Sequence, residues 1–396
     1  MTVEVHSLGC RLNISESETL RGLLGGAAEA AGDLVVVNSC AVTAEAVRQT
    51  RQTIRRARKE RPDARLIVTG CAAEVEREML CAMPEVDGIV ANAAKLDPRA
   101  WNVPAAPPVR QHRAYTRGFV QVQNGCDHAC TFCVIPQGRG PSRSCTIAEV
   151  LADIAVHADK GVQEVVLTGV DLTSWGGDLD GAPRLGSLCE AILARFPALP
   201  RLRLSSIDGA EVDARLFELL ASEARLMPHV HLSLQHGDDL ILKRMKRRHS
   251  RAEAVTLVSN LKARRPDIAI GADLIAGFPT ESEEAHAANL SIVRALDVVH
   301  GHVFPYSPRP GTPAARMPAV DGATIRRRAA QLREAIAETR ARWLAGLIGQ
   351  PLSVLAERGG TGHAQNYAKV RVPESVPAGT LVRVTPARVV EGILEA

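Results

Sequence analysis

Aromatic residues are nearly missing. Three tryptophans, three tyrosines and six phenylalanines make up 3% of 396 residues, so any core must be packed mainly from aliphatic side chains. No apolar run approaches the roughly 20 residues that a membrane-spanning helix needs, and no membrane partner is expected. The opening "MTVEVHSLGC" lacks a basic segment followed by an apolar stretch and reads as a chain without a secretory signal. The expected location is the cytoplasm. No internal repeat at a fixed period is present, so repeat architectures are not expected.

What is present fits a soluble globular protein of two or three domains: 46% apolar and 23% charged residues. Net charge is only +4, but it is uneven. "RQTRQTIRRARKERPDAR" (48–65), "KRMKRRHSR" (243–251) and "RRRAAQLREAIAETRARW" (326–343) are strongly basic. A solvated helix face would explain any one of them. Three in one chain point to a polyanionic partner such as RNA. The nine cysteines are not expected to form disulfides in a reducing compartment; clustered ones read as metal ligands or catalysts.

Residues 1–100 alternate β-rich runs ("TVEVHSL", "DLVVVNS", "RLIVTG", "GIVAN") with helical stretches. The first, "SESETLRGLLGGAAEA", is predicted to be capped by Ser15; the second is "EAVRQTRQTIRRARKE". This is an α/β pattern with a mainly parallel sheet. "NVPAAPPVRQ" (102–111) reads as a linker. From 118 six further strands are predicted: "GFVQVQN", "EVVLTGV", "RLRLSSI", "HVHLSLQ", "AIGADLIAG" and "VVHGHVFPY". With helical segments between them, they suit a partial (β/α)6 barrel whose chemistry lies at the strand C-terminal ends. The last fifty residues carry short β-branched runs ("QPLSVLAER", "NYAKVRV", "TLVRVTPARVV") and suggest a small β-barrel.

The cysteines fall at telling places. In "NGCDHACTFCVIP", Cys126, Cys130 and Cys133 sit just past the first barrel strand. Cys10, Cys40 and Cys71 end "VHSLGC", "VVVNSC" and "LIVTGC" in three successive βα units. C-terminal strand ends of a parallel sheet share one edge, so these three should converge; ordinary buried cysteines are the alternative. Each set offers three thiols. Structural zinc wants four protein ligands, and His128, Cys145 or another residue would have to supply the fourth beside the 126–133 set. A four-iron cluster accepts three thiolates and leaves one iron open. Cys81, Cys145 and Cys189 are expected to be core residues.

Cys-x3-Cys-x2-Cys at the first strand of a partial barrel resembles the radical S-adenosylmethionine (SAM) enzymes. "SLGCRLNISESE", "VVNSCAVTAEA" and "VTGCAAE" look like the N-terminal domain of the methylthiotransferases, and "NGCDHACTFCVIPQGRGPSRS" and "FPYSPRPGTPAARMP" resemble their barrel motifs. The C-terminal piece resembles a TRAM domain, a small RNA-binding barrel. The implied domains are 1–101, holding an auxiliary cluster, 112–345, the radical SAM domain, and 346–396. Three branches differ in substrate: isopentenyladenosine in tRNA, a ribosomal-protein aspartate, and threonylcarbamoyladenosine beside the anticodon. "NSCAVTAEA", "TGVDLTSWG" and "HVFPYS" most resemble the third.

The resemblance implies two 4Fe-4S clusters and SAM. The Cys126/Cys130/Cys133 cluster would chelate SAM and cleave it reductively to a 5′-deoxyadenosyl radical, which takes hydrogen from adenine C2. The Cys10/Cys40/Cys71 cluster would carry the sulfur, methylated by a second SAM. Asn13 and Asn38 would orient cluster or sulfur, or else cap strand ends. SAM contacts would come from Thr168, Gly169 and Asp171, from Ser205 in "RLSSID" and Gln235, and from Gly277 and Pro279 in "GADLIAGFP", where glycine permits close backbone approach. The tRNA anticodon stem-loop is the expected partner, contacted by Arg48, Arg51, Arg55 and Arg58 and by Tyr367, the one aromatic of the terminal barrel. A flavodoxin-like or ferredoxin-like electron donor is also implied. His236 stands where relatives commonly have a small residue and is either neutral or shapes the active-site mouth. A non-catalytic, zinc-stabilised RNA-binding protein is the alternative of another class.

Overall fold

Val35, Val37, Leu66 and Val68 face one side of a parallel sheet, while Val5, Leu34, Val36 and Ile67 face the other. This period-two pattern gives a sheet buried on both faces. Its strands β1 (Val3–Ser7), β2 (Leu34–Ser39), β3 (Arg65–Gly70) and β4 (Gly88–Ile89) lie side by side in chain order. Helix α1 (Arg11–Gly25) covers one face with Leu20 and Leu24. Helix α2 (Ala44–Glu60) covers the other with Val47, Ile54 and Ala57, its start fixed by the Thr43 side chain, which accepts the Ala46 N–H. Each such fully buried aliphatic side chain contributes about 1.5–3 kcal/mol.

The computed structural model describes residues 2–25, 33–103 and 116–396; most of the expected 102–111 linker lies outside them. Two compact units emerge. One comprises Met1–Ala114, Asn124–Arg143 and Ser307–Thr312; the other comprises Tyr115–Gln123, Ser144–Tyr306 and Pro313–Ala396. Both cysteine trios therefore belong to the first unit. One expectation there is corrected. Helix α1 begins at Arg11, so Ser15 is a buried residue inside it and not its N-cap; its carbonyl accepts the Thr19 hydroxyl at 3.3 Å.

In the second unit six strand segments run parallel in chain order, each at its predicted place. β5 (Gly118–Gln121), β6 (Glu164–Thr168) and β7 (Arg201–Leu204) pair in sequence. After Ser205 the chain continues as Ser206–Ile207, which pairs with β8 (His229–Gln235), then β9 (Ala269–Ala276) and β10 (Val298–Pro305). Val120, Val165, Leu167, Leu202, Leu204, Val230, Leu232, Ile270, Ala272 and Val298 pack outward against helical residues such as Ile154, Leu188, Leu216, Leu261 and Ile292. The alternate residues face inward, which puts polar groups there: Glu164, Arg201, Arg203, His229 and His231.

Six short strands end the chain. Their order across the sheet is Leu381–Val384, Leu352–Glu357, Thr361–Ala364, Lys369–Arg371, Ile393–Glu395, Arg388–Val390. They pack on the base of the barrel through charge. Glu164 is fully buried and receives Arg117 Nε at 2.6 Å, Arg203 Nε at 2.9 Å and Arg201 Nη1 at 3.3 Å. Arg117 also pairs with Glu357, and Arg201 and Arg203 donate to the carbonyls of Ser353, His363 and Gln365. Burial opposes the Glu164 charge, yet the three guanidinium groups hold its carboxyl far below the ordinary range.

Candidate active site

Cys40 directly follows β2, Cys71 directly follows β3 and opens the short helix Cys71–Val75, and Cys10 lies three residues past β1. The parallel sheet brings all three to one edge. Gly9, with φ +101°, is needed there: a Cβ on it would stand 2.7 Å from Cys40 Cβ and 2.9 Å from its Sγ. Asn13 ties the edge together. Its amide donates to the carbonyls of Leu8 and Ser39, and its Oδ1 faces Cys10 Sγ at 3.7 Å. Asn38 donates to the Asn13 carbonyl and to Ser17 Oγ, so it braces helix α1 against β2. Cys10 is exposed, Cys40 and Cys71 buried. Burial pushes the Cys40 thiol up to about 11 and raises Cys71 as well, although Arg139 and Lys95 pull Cys71 back. Thiols held neutral by burial lose their protons when a soft metal takes their sulfurs.

Behind this edge lies a buried ionic group. Glu16 receives Lys95 Nζ at 2.5 Å and Arg139 Nη1 at 2.7 Å, and Arg139 Nη2 donates to Asn13 Oδ1 at 2.5 Å. Despite burial, the two cations hold the Glu16 carboxyl down at about 2. Burial also pulls Lys95 down, more than Glu16 raises it, with Arg139 repelling it further. One carboxylate thus faces two basic groups beside the thiols.

The second trio occupies a loop closed on itself. The Cys126 N–H donates to the Gly140 carbonyl at 3.1 Å, and Gly125 is irreplaceable because a Cβ would meet the Pro141 carbonyl oxygen at 1.9 Å. The His128 and Ile135 N–H groups approach Cys126 Sγ and Cys133 Sγ at 3.4 Å each. Such N–H···S contacts favour thiolates. Among the described residues, neither trio brings its three sulfurs within 4.8 Å of one another. Thiolates around a single tetrahedral zinc stand about 3.8 Å apart at the usual Zn–S length. The wider spacing, the three-thiol donor sets and the Arg139 guanidinium beside the first trio fit a larger anionic iron–sulfur cluster.

In the second unit the expected SAM contacts sit at strand C-terminal ends. Thr168 is buried and its hydroxyl donates to the Val120 carbonyl. The turn after it is held by Gln123, whose Oε1 accepts the N–H groups of Val170 and Asp171 at 3.0 and 2.9 Å and would stand 3.0 Å from a Cβ on Gly169. Asp171 accepts the Ser174 hydroxyl at 2.7 Å. Ser205 and Gln235 are partly exposed, and Gln235 has φ +68°, an unusual conformation for a residue with a side chain. Gly277 and Pro279 are buried in a turn whose Gly277 and Phe278 N–H groups both donate to Glu281 Oε2. His236 is buried, its Nε2 3.7 Å from Glu281, so it lies beneath this turn and not at an open mouth.

Residues 120–290 match the Radical SAM superfamily and residues 2–91 the family described as Uncharacterized protein family UPF0004. The chain is 41% identical to threonylcarbamoyladenosine tRNA methylthiotransferase MtaB of Rickettsia prowazekii, over 99% of this chain and 96% of the relative. The chain belongs to the radical SAM methylthiotransferases. It is 33% identical to the MtaB of Aquifex aeolicus, covering 97% and 100% of the two chains, and 33% to a tRNA-2-methylthio-N(6)-dimethylallyladenosine synthase of Cereibacter sphaeroides, covering 96% and 94%. The radical SAM methyltransferase TsrM of Kitasatospora setae shares its fold, with TM-score 0.54 and 19% identity over 77% of this chain and 70% of that one.

Several residues of this methylthiotransferase have roles that the sequence did not reveal. Arg58 is committed to structure: it donates to the carbonyls of Glu85, Pro62 and Ala64 and pairs with Asp87. Arg48, Arg51 and Arg55 are exposed on the same helix, together with Arg56 and Lys59. Tyr367 stacks on His363 and His229 with ring centroids 4.6 and 5.0 Å away, and the Arg203 guanidinium lies 4.8 Å from its ring. Its ring is thus packed on the base of the barrel. Tyr367→Ala should cost about 2 kcal/mol of stability and leave RNA affinity unchanged, which paired urea titrations and binding curves will check. Cys189 is buried in the barrel core and Cys145 packs against it, with its Sγ 3.6 Å from the Gln121 carbonyl, whereas Cys81 is exposed. No sequence pattern singles out Gln123, Glu16 or Lys95, and the nearest signal for Arg139 is its place in "QGRG", six residues past Cys133.

Proposed function

We propose that this methylthiotransferase converts threonylcarbamoyladenosine beside the tRNA anticodon to its 2-methylthio derivative. The observation that carries the reading is the pair of three-thiol sets in one compact unit, in a chain matched over nearly its full length by a relative of that name. Cys126, Cys130 and Cys133 hold one 4Fe-4S cluster, and Cys10, Cys40 and Cys71 hold a second. When bound, the clusters and SAM supply reductive radical formation and the inserted sulfur, which an aromatic C–H, a poor acid, requires in place of acid–base chemistry. Asn13 fixes the sheet edge, and Arg139 compensates the negative charge of the thiolates. Gly169, Asp171, Ser205, Gln235, Gly277 and Pro279 contact SAM, with Gln123 setting the first turn and Glu281 the last; Thr168 contributes through its backbone.

The domains are 1–101, 112–345 and a TRAM-like 346–396. The enzyme works in the cytoplasm with a flavodoxin-like or ferredoxin-like reductant; among the described residues no helix is long and apolar enough to cross a membrane. The exposed face of helix α2 binds the phosphates of the anticodon stem-loop. Reversing Arg48, Arg51 and Arg55 to Glu should weaken stem-loop binding at least tenfold at moderate salt and flatten its salt dependence, with iron content unchanged. Binding curves at two salt concentrations will show this. The reading itself is tested by incubating reconstituted enzyme, SAM and reductant with a stem-loop bearing threonylcarbamoyladenosine. A product heavier by one methylthio group is expected; an untouched stem-loop would refute the reading.

A further inference from the structure

Inside the barrel of the second unit the inward-facing residues form layers. At the base, His229 and His300 meet Tyr367. One layer up, toward the strand C-terminal ends, His231 on β8, Asp273 on β9 and His302 on β10 come together. Asp273 and His302 are register partners. His231 Nε2 and His302 Nδ1 both lie against Asp273 Oδ1, at 3.0 and 2.9 Å. Gly271 makes room for this arrangement, since a Cβ there would stand 2.3 Å from His231 Nδ1. The three differ sharply in exposure: the His231 side chain is 9% exposed, Asp273 19% and His302 67%. A buried histidine and a half-buried carboxylate thus fix the ring of an exposed imidazole. With Nδ1 engaged by Asp273, the His302 atom presented to the lumen is Nε2.

The two imidazole contacts hold the Asp273 carboxyl down at about 2 against the effect of burial. An imidazole whose Nδ1 faces one carboxylate and whose Nε2 meets a second donates to both as an imidazolium. The substrate's N6 arm ends in a threonine-derived carboxylate. An isopentenyl arm ends in methyl groups and would leave this donor without a partner.

We propose that His302 is a specificity-determining residue whose Nε2–H binds the carboxylate of the acidic N6 arm, with Asp273 and His231 as its positioning residues. This rests on the reading that the substrate is a threonylcarbamoylated tRNA adenosine. The test is equilibrium binding of the full-length holoenzyme to three anticodon stem-loops, bearing threonylcarbamoyladenosine, isopentenyladenosine or plain adenosine. Wild type should bind the first most tightly. His302→Ala should lose about tenfold affinity for that stem-loop alone, as expected for one charge-assisted hydrogen bond. Asp273→Asn should lose part of the same preference. His302→Gln, which keeps a donor, should recover some of it. A wild type that prefers the threonylcarbamoyl stem-loop, with a His302→Ala variant that keeps this preference or weakens on all three equally, overturns the proposal and leaves the substrate reading intact. The same retained preference, accompanied by loss of one equivalent of divalent metal beyond the clusters, would assign the trio to a cation and also overturn it. A wild type that prefers the isopentenyl stem-loop overturns the substrate reading and the proposal with it.

Discussion

SAM cleavage disappears in Cys130→Ala and persists in Cys40→Ala. This expected result follows from where the two thiols sit. Cys130 belongs to a self-closed loop whose three sulfurs come from eight consecutive residues and whose N–H groups already point at Cys126 and Cys133. Removing one thiolate leaves two, too few to keep a site-differentiated cluster, so 5′-deoxyadenosine formation should fall by a factor of at least about 100, and methylthiolation with it. Cys40 is buried at the edge of the four-stranded sheet against Gly9. Its loss should cost about half of the iron, spare 5′-deoxyadenosine formation with a chemical reductant, and block sulfur insertion. Iron analysis, chromatography of 5′-deoxyadenosine and mass spectrometry of the RNA report the three outcomes separately. Loss of cleavage in both variants would mean that the two trios do not act independently.

Glu16→Ala should destabilise the first unit by about 3–5 kcal/mol, the usual result of leaving buried cations without their anion. Lys95 and Arg139 would then face each other with no carboxylate between them. The wild-type protein should show the same dependence on acidification. The Glu16 carboxyl is lowered from an ordinary 4.5 to about 2, so its stabilisation is fully present above the higher value and is lost as pH falls toward the lower one. The size is roughly 3 kcal/mol. Urea titrations that follow iron release, run at neutral pH and near pH 3, should show a steep loss in wild type and a shallower one in Glu16→Gln. Equal acid sensitivity in both would remove Glu16 from the account.

Much of this architecture was legible because it depends on local pattern. Strand-end cysteines in three βα units, six further strands and the Cys-x3-Cys-x2-Cys loop all follow from period and spacing. The polar barrel interior was legible in principle. In "RLRL" and "HVHL" the leucines and valine take the outward core, which leaves Arg201, Arg203, His229 and His231 facing inward. Their partners were not, because Glu164 lies 37 residues from Arg201 and Glu16 lies 123 from Arg139. Arg58 looked like its basic neighbours until the carbonyls of Pro62, Ala64 and Glu85 folded around it. Tyr367 looked available to RNA for the same reason: its stacking partners His229 and His363 come from two different elements. The start of helix α1 was misplaced because a serine that resembles a cap instead fills a buried turn.

The most direct test of the central claim is mass spectrometry of tRNA nucleosides from cells with and without this gene. The account predicts loss of 2-methylthio-threonylcarbamoyladenosine and accumulation of threonylcarbamoyladenosine in its place. Loss of the 2-methylthio-isopentenyl nucleoside instead would keep the chemistry and contradict the substrate, and an unchanged nucleoside profile would contradict the claim that tRNA is what this enzyme modifies.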